Sequence, residues 1–390
     1  MAPFSVDNPM AFFGNDAVNR VNVHSAVQAF AQAGGGVFVL VFLLRGGLSV
    51  PATLRTMAAI LSVRFVLRPV ILPLAKRWGL KPLLIVGTLV VAMQYPAVAT
   101  VQGIGIPLAA FCLVAAIGEI FYWPTYNAYF AAIGDAEHRG HQIGAREALV
   151  AVAGILAPLL GAWALVTFGP HPMFAAFGLI QALAVVPLIG APNVAIKESA
   201  PGAFRAARLG ALLYATDGWF DACFFFVWQI ALFVSLGESI SAYGGAMALA
   251  GLVGAVCGLL LGRHIDAGHG RRAVAISYGL AAAVVLLRAA SFGSPWLAVA
   301  ANAAGAPVMS LMLPALGAAT YNLAKASPCP LRFQVAAETG WDVGCICSCL
   351  IAAGLLAAGV SLAIVMLVAL PALALAALLL RRYYGSRAPG

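Results

Sequence analysis

Charged side chains are scarce in this 390-residue chain, since Asp, Glu, Lys and Arg make up 9% of it against 63% hydrophobic residues. A soluble domain typically has about 25% charged residues, so this composition excludes a soluble globule. The chain also lacks the alternating segments of about ten residues that build membrane β-barrels. Its apolar runs are long and unbroken, and lipid offers the backbone no hydrogen-bonding partner. The sequence therefore predicts an all-α membrane protein.

A nucleotide-binding loop is also missing. The pattern G-x-x-x-x-G-K-[ST] does not occur, which argues against ATP as the direct energy source. Nearly all of the seven cysteines fall inside predicted helices, where cysteine is a small apolar packing residue. Cys345 and Cys349 share a helix face and would suit a soft metal, but packing is the favoured interpretation. We predict no disulfide, no metal site and no cofactor.

Twelve membrane-spanning helices can be drawn, since about 20 apolar residues cross the hydrocarbon. They cover residues 21–44, 51–74, 82–101, 104–133, 142–168, 171–191, 207–235, 241–262, 271–292, 295–325, 332–356 and 361–380. With the N-terminus placed inside, most Lys and Arg residues fall on cytoplasmic segments. The net charge of +9 then reflects topology and anionic lipid, with no nucleic-acid partner. We expect a multi-pass protein of the cell (inner) membrane with both termini cytoplasmic.

The longest interior connection lies at the midpoint of the chain and divides it in two. Residues 191–206 form a linker that contains proline and charge, which leaves six helices in 1–190 and six in 207–390. The tripeptide Thr-Tyr-Asn occurs at 125–127, near the end of helix 4, and again at 320–322, near the end of helix 10. Repetition at equivalent places predicts two related halves, as in many transporters.

One charged loop separates two long apolar runs at 262–272. Its residues Gly262, Asp266, Gly270, Arg271 and Arg272 follow the pattern G-x-x-x-D-x-x-x-G-R-R. This pattern resembles the loop that the major facilitator superfamily places between its second and third helices, and again between its eighth and ninth. The resemblance implies a fold of two six-helix halves, with helices 1, 4, 7 and 10 around a central cavity and helices 2 and 11 at the seam.

The resemblance also implies a contact for this loop. In the family, the acidic residue of the loop faces the start of a helix across the seam, which places Asp266 near Arg146 of helix 5. The corresponding loop of the first half, at 72–81, departs from the pattern because Lys76 stands where the acid would be. The alternative for Asp266 is a surface turn in which it caps its own helix.

Helix 5 contains the segment GILAPLLGA at 154–162. It is similar to the last nine positions of the G-x-x-x-G-P-x-x-G-G element of family members that act as antiporters, with Ala157 and Ala162 replacing two glycines. This likeness favours export. A small-residue packing face with a proline kink is an equally good interpretation.

Ionisable residues inside spans are costly and therefore face partners or water. Arg64 and Arg68 share one face of helix 2, and Glu338 and Asp342 share one face of helix 11, because each pair is four residues apart. Since the resemblance places these helices at the seam, we predict contacts of Arg68 with Glu338 and of Arg64 with Asp342. They would form a gate that holds the cytoplasmic side shut. A permanent structural network is the alternative.

Two further groups of polar residues lie on helices that the resemblance places around the cavity. The candidate proton sites are Asp217, Asp221 and Glu119, because desolvation favours the protonated form of a carboxyl group and neighbouring carboxylates repel. Phe224 and Trp228 are expected to continue the face of Asp217 and Asp221. The candidate substrate-binding residues are His24, Gln28, Gln32, Tyr122, Tyr126 and Trp228.

These features together predict a proton-coupled secondary transporter of a small organic solute, with alternating access and export by antiport. We expect a monomer without enzymatic activity whose partners are its solute, protons and the lipid bilayer. A lipid flippase of the same fold is one alternative, suggested by Arg64, Arg68 and the aromatic segment 224–228. A metal-dependent intramembrane enzyme is another, since Asp217 and Asp221 form a D-x-x-x-D pattern, but no second acidic cluster would complete a two-metal site.

Overall fold

The long apolar runs form helices throughout the described part of the chain. The computed structural model describes residues 15–133, 139–196, 199–261 and 270–385. Within these residues no strand occurs, and twelve helical segments are long and apolar enough to cross a membrane. They are α1 (Asp16–Arg45), α2 (Val50–Trp78), α3 (Leu80–Ala99), α4 (Ile106–Ile133), α5 (Ala148–Phe168), α6 (Pro170–Ile189), α7 (Arg208–Ser235), α8 (Ile240–Gly258), α9 (Arg271–Ser291), α10 (Pro295–Ala326), α11 (Pro330–Ala357) and α12 (Leu362–Gly385). The predicted all-α class and the twelve spans are confirmed.

Several of these helices change their hydrogen-bond pattern partway along. α1 contains a 3-10 turn at Gly36–Phe38, α2 contains one at Arg68–Val70, and α7 contains a π-helical turn at Ala222–Val227. Pro69 lies within the α2 turn, and proline has no N–H group to donate to the preceding turn. No proline or glycine lies in the α7 turn, so the sequence gives no sign of it.

Glycines bring α7 and α11 together backbone against backbone. A Cβ atom on Gly218 would overlap the carbonyl of Trp341, and one on Gly344 would overlap the carbonyl of Ala215. Small residues at a helix interface permit such close approach in a membrane. This packing places the acidic part of α7 directly beside the charged part of α11.

Gly344→Ala should lower the stability of the purified protein by about 1–3 kcal/mol, because the new methyl group would force α7 and α11 apart. Gly354→Ala on the same helix is the matched control, since a Cβ atom there meets open space. The melting temperatures of the two variants in detergent test this. Equal melting temperatures would contradict the close-packing argument.

The small-residue segment at 154–162 packs on both sides. A Cβ atom on Gly161 would overlap the carbonyl of Gly34 in α1, and one on Gly251 in α8 would overlap the carbonyl of Gly154. This geometry fits the packing interpretation of the segment. Its likeness to the antiporter element stays a prediction.

The segment after α6 is bonded to the turn between α2 and α3. Asn193 Nδ2 donates to the Trp78 carbonyl at 2.8 Å, and the Leu80 amide donates to the Val194 carbonyl at 2.9 Å. This turn belongs to the hairpin in which Lys76 replaces the acidic residue of the family pattern. The start of the predicted linker therefore holds the turn, a contact that sequence reasoning missed.

Candidate functional site

A buried charged network joins α2, α4 and α11. Asp342 is its centre, because its side chain is fully buried and both of its oxygens accept hydrogen bonds. Arg64 Nε donates to Oδ1 at 2.6 Å, and Arg68 Nε donates to Oδ2 at 3.1 Å. A second nitrogen of each arginine also contacts the same carboxylate. Asp342 therefore binds both guanidinium groups of α2 with charge-assisted hydrogen bonds.

Two further carboxylates lie at the edge of this network. Arg64 Nη1 is 3.4 Å from Glu119 Oε2, and Arg68 Nη1 is 3.8 Å from Glu338 Oε2. The Glu119 and Glu338 side chains are 24% and 12% exposed, so both are less enclosed than Asp342. Asn127, from the first Thr-Tyr-Asn tripeptide, donates to Glu338 Oε1 at 3.5 Å.

The structure thus contains the two contacts predicted from helix spacing and the family resemblance, Arg68 with Glu338 and Arg64 with Asp342. Their roles in gating stay predictions. Two features were missed, since Asp342 bridges both arginines and Glu119 joins the network. The sequence spacing places residues on a helix face, but it does not give the rotation of α4 toward α2.

The α7 carboxylates lie next to this network. Trp341 Nε1 donates to Asp221 Oδ2 at 3.0 Å, while Asp221 Oδ1 is buried without a hydrogen-bond partner in the described part of the chain. The Arg64 guanidinium lies over the Trp341 ring, 4.9 Å from its centroid. Trp341 therefore connects Asp221 to the network. Sequence reasoning missed Trp341, although it lies between Glu338 and Asp342.

The prediction that Phe224 and Trp228 continue the face of Asp217 and Asp221 on α7 is wrong. Asp221 contacts α11, whereas the Phe224 and Trp228 rings contact Arg288 of α9, at 3.8 and 4.7 Å from the guanidinium carbon. The π-helical turn at Ala222–Val227 separates the two groups and shifts the phase of the helix. Four-residue spacing fails as a guide to facing residues across such a turn.

The candidate substrate residues of α1 and α4 bond to one another. His24 is fully buried, with Nδ1 2.8 Å from the Ala184 carbonyl and Nε2 3.1 Å from the Tyr122 hydroxyl. The Tyr122 and Tyr126 rings stack at 5.8 Å, and the Tyr126 hydroxyl lies 2.6 Å from Ser25 Oγ. His24 and both tyrosines are therefore engaged in packing between helices in this conformation.

The remaining candidates lie apart from that group. Gln28 Nε2 donates to Gln32 Oε1 at 2.9 Å, one turn along α1. Trp228 Nε1 donates to Asn302 Oδ1 of α10 at 2.9 Å, and its side chain is buried. The structure does not bring the six substrate candidates into a single group, and their role stays a prediction.

Two gating candidates cannot be placed. Asp266 and the side chain of Arg146 lie outside the described residues. In the described part of the chain, no three His, Cys, Asp or Glu side chains are arranged to hold a metal ion.

A separate contact joins α1 to the α7–α8 connection. Arg45 Nη2 donates to the Glu238 carbonyl at 2.9 Å, and the Tyr243 hydroxyl donates to the Val37 carbonyl at 3.2 Å. The end of α1 that is remote from the N-terminus is thereby bonded to α8 and to the connection that precedes it.

Comparison with known proteins gives the same fold. Over 96% of its length, the chain matches 97% of a crystal structure described as an auto inhibited POT family peptide transporter, with a TM-score of 0.65 and 13% sequence identity. No curated protein sequence matches the chain significantly. The family model of the Major Facilitator Superfamily matches residues 25–234, which is more than half of the chain. Twelve spans, this structural likeness and this match lead to one conclusion: the chain is a multi-pass membrane transporter that belongs to the major facilitator superfamily.

Proposed function

We propose that this transporter is proton-coupled and exports a small organic solute by antiport, through alternating access. The observation that carries the proposal is the buried network of Arg64, Arg68 and Asp342 with Glu119 and Glu338 at its edge. Residues 1–190 and 207–390 would be the two moving halves, and 191–206 the linker between them. The network would hold α2 against α11 while the cytoplasmic side is closed.

The network has unequal numbers of acids and bases. It contains three carboxyl groups and two guanidinium groups, so full ionisation leaves one negative charge in excess. A buried charge without a partner is costly, and a proton on one carboxyl group removes the excess. Separation of α2 from α11 would leave more charges unpaired, and proton uptake would offset part of that cost. Proton binding and helix separation would then depend on each other, which is what coupling requires.

Asp217, Asp221 and Glu119 are the proton sites that we propose. Asp221 has one buried oxygen without a partner among the described residues, and Trp341 connects it to Arg64. Glu119 contacts Arg64 directly and is the more exposed acid of the network. A proton on either acid would therefore change the charge balance around Arg64.

The solute would bind between the helices that carry the polar and aromatic candidates. His24, Tyr122 and Trp228 are bonded to neighbouring side chains or carbonyls, so they would reach a solute only after those bonds are released. The likeness of the 154–162 segment to the antiporter element supports export. We place the protein in the cell (inner) membrane as a monomer with cytoplasmic termini.

Sealed proteoliposomes with an internal pH dye test this function. A panel of small organic solutes is added outside, and a transported solute should drive proton movement in the opposite direction. Vesicles that contain the Gly354→Ala variant control for a substitution that leaves the fold intact. Vesicles without protein control for passive leak of protons and solute. Movement of solute without any proton flux, or in the same direction as protons, would overturn antiport coupling.

A cavity at the α5–α8 seam favours a second candidate, the lipid flippase. The cavity has a volume of about 240 Å³ and is lined by four apolar residues together with Thr167 and Ser241. Trp163 borders this cavity and is 58% exposed on the outer surface of the protein. An amphipathic molecule could enter sideways through such a seam.

Dithionite bleaching of headgroup-labelled lipid in the same vesicles separates the candidates, because only a flippase would expose the labelled lipid of the inner leaflet.

A further inference from the structure

Arg288 of α9 is a buried cation with no acidic partner among the residues that the structure describes. Its exposed fraction is 5%, and none of the ion pairs in the described residues includes it. An ionised side chain in a membrane span is expensive and usually has a specific role. The charged network described above does not use it.

The π-helical turn of α7 supplies its partner. The Trp228 amide donates to the carbonyls of Cys223 and Phe225, and in doing so bypasses the Phe224 carbonyl, which it would reach in a regular α-helix. Arg288 Nη1 donates to that Phe224 carbonyl at 2.7 Å. A backbone carbonyl released by the π-helical turn is thus satisfied by a charged side chain from a neighbouring helix.

Other contacts hold the guanidinium group in place. It lies 3.8 Å from the centre of the Phe224 ring and 4.7 Å from that of Trp228, a cation–π arrangement with both rings. Gly305 of α10 leaves the required space, because a Cβ atom there would lie 2.9 Å from the guanidinium carbon. Trp228 is itself fixed by its hydrogen bond to Asn302.

We propose that Arg288 is a positioning residue that stabilises the π-helical turn and thereby sets the rotation of the part of α7 that carries Asp217 and Asp221. A π-helical turn accommodates one extra residue, and one residue corresponds to about 100° of α-helical rotation. If the turn reverted to α-helix, one flank would have to rotate by that amount. Both flanks are buried, so neither can rotate without loss of packing, and rotation of the acidic flank relative to the other moves Asp221 away from Trp341.

The importance of this rotation for coupling rests on the proposed function, but the rotation itself can be measured separately. Cys223 Sγ lies 3.4 Å from Ser348 Oγ of α11. Ser348→Cys, in a chain in which Cys345, Cys347 and Cys349 are replaced by Ala, would allow an oxidant to form a disulfide between Cys223 and the new thiol. The yield of this disulfide reports whether α7 faces α11 as in the structure.

Four changes are compared in this background: Arg288→Leu, Arg288→Lys, deletion of Phe225, and Arg288→Leu combined with that deletion. Leu287→Ala, at an exposed neighbouring position on α9, is the control. Arg288→Leu should lower the initial rate of disulfide formation at least about tenfold, since a hydrogen bond from a charged donor is lost. Arg288→Lys should lie between, because it keeps one charged donor without the planar stacking.

Deletion of Phe225 should rescue the Arg288→Leu variant. Removing one residue turns the π-helical turn into regular α-helix while both flanks keep their facing, so the bypassed carbonyl no longer exists and Arg288 is no longer needed. If Arg288→Leu alone fails to fold, recovery of folded protein in the double variant also supports the role of Arg288 in stabilising the π-helical turn. An unchanged disulfide rate in Arg288→Leu, or a double variant no better than the single one, would overturn the proposal. A clear rescue of the disulfide, combined with normal coupling when the α7 acids are neutralised, would leave the positioning role standing and reject their proton role.

Discussion

Asp342→Ala should abolish accumulation of folded protein in the membrane. Asp342 is fully buried and accepts hydrogen bonds from both Arg64 and Arg68, so its removal leaves two buried guanidinium groups with only the outlying Glu119 and Glu338. Removing one partner of a buried ion pair typically costs about 3–5 kcal/mol, a large part of the stability of a typical domain. Fluorescence size-exclusion chromatography of a tagged protein measures the folded fraction.

Glu119→Gln is the matched control for that experiment. Its side chain is 24% exposed and contacts Arg64 through one longer distance of 3.4 Å, so the loss of folded protein should be much smaller. A chromatographic profile of Asp342→Ala equal to that of the wild type would contradict the central position of Asp342 in the network.

The exchange of Arg64→Asp with Asp342→Arg tests the pairing across the seam. Each single change places like charges together and should prevent folding, whereas the double change restores one opposite pair, with the introduced arginine beside Arg68 and Glu338. Folding and transport in the double variant above those of both single variants support the pairing. A double variant no better than either single one argues against it.

Helix spacing and the family resemblance together predicted contacts between α2 and α11. Residues four apart lie on one helix face, and the resemblance of the 262–272 loop to the family pattern supplied the neighbouring helix. These two premises predicted the pairs Arg68 with Glu338 and Arg64 with Asp342. The same reasoning could not give the part played by Glu119, which depends on how α4 is rotated toward α2, nor the bridging position of Asp342.

Sequence spacing failed on α7 for a physical reason. The segment 222–227 contains no proline or glycine, so nothing in it indicates a π-helical turn. The sign lies on another helix, where Arg288 has no acidic partner in the described part of the chain and donates to a backbone carbonyl instead. An unexplained cation in one span is therefore a reason to look for an irregular backbone in a neighbouring span.

Asp221→Asn should uncouple solute movement from proton movement while the protein stays folded. The side-chain oxygen of Asn can still accept the hydrogen bond from Trp341, so the contact of α7 with α11 is kept. The group that would take up and release the proton is lost. In the proteoliposome assay, solute exchange should persist while solute-driven proton flux disappears, and a pH gradient should no longer concentrate the solute.

Three companion variants make this result specific. Asp217→Asn should reduce coupling in the same way, because it removes the other α7 acid, which lies one turn away. Asp221→Glu should retain coupling, because it keeps an ionisable group beside Trp341. Glu238→Gln, an exposed acid between α7 and α8, should leave coupling at the wild-type value. If both Asn variants move protons with solute at the normal ratio, the α7 acids are not the coupling site. Glu119 then becomes the first candidate, because it is the most exposed acid of the network and contacts Arg64 directly.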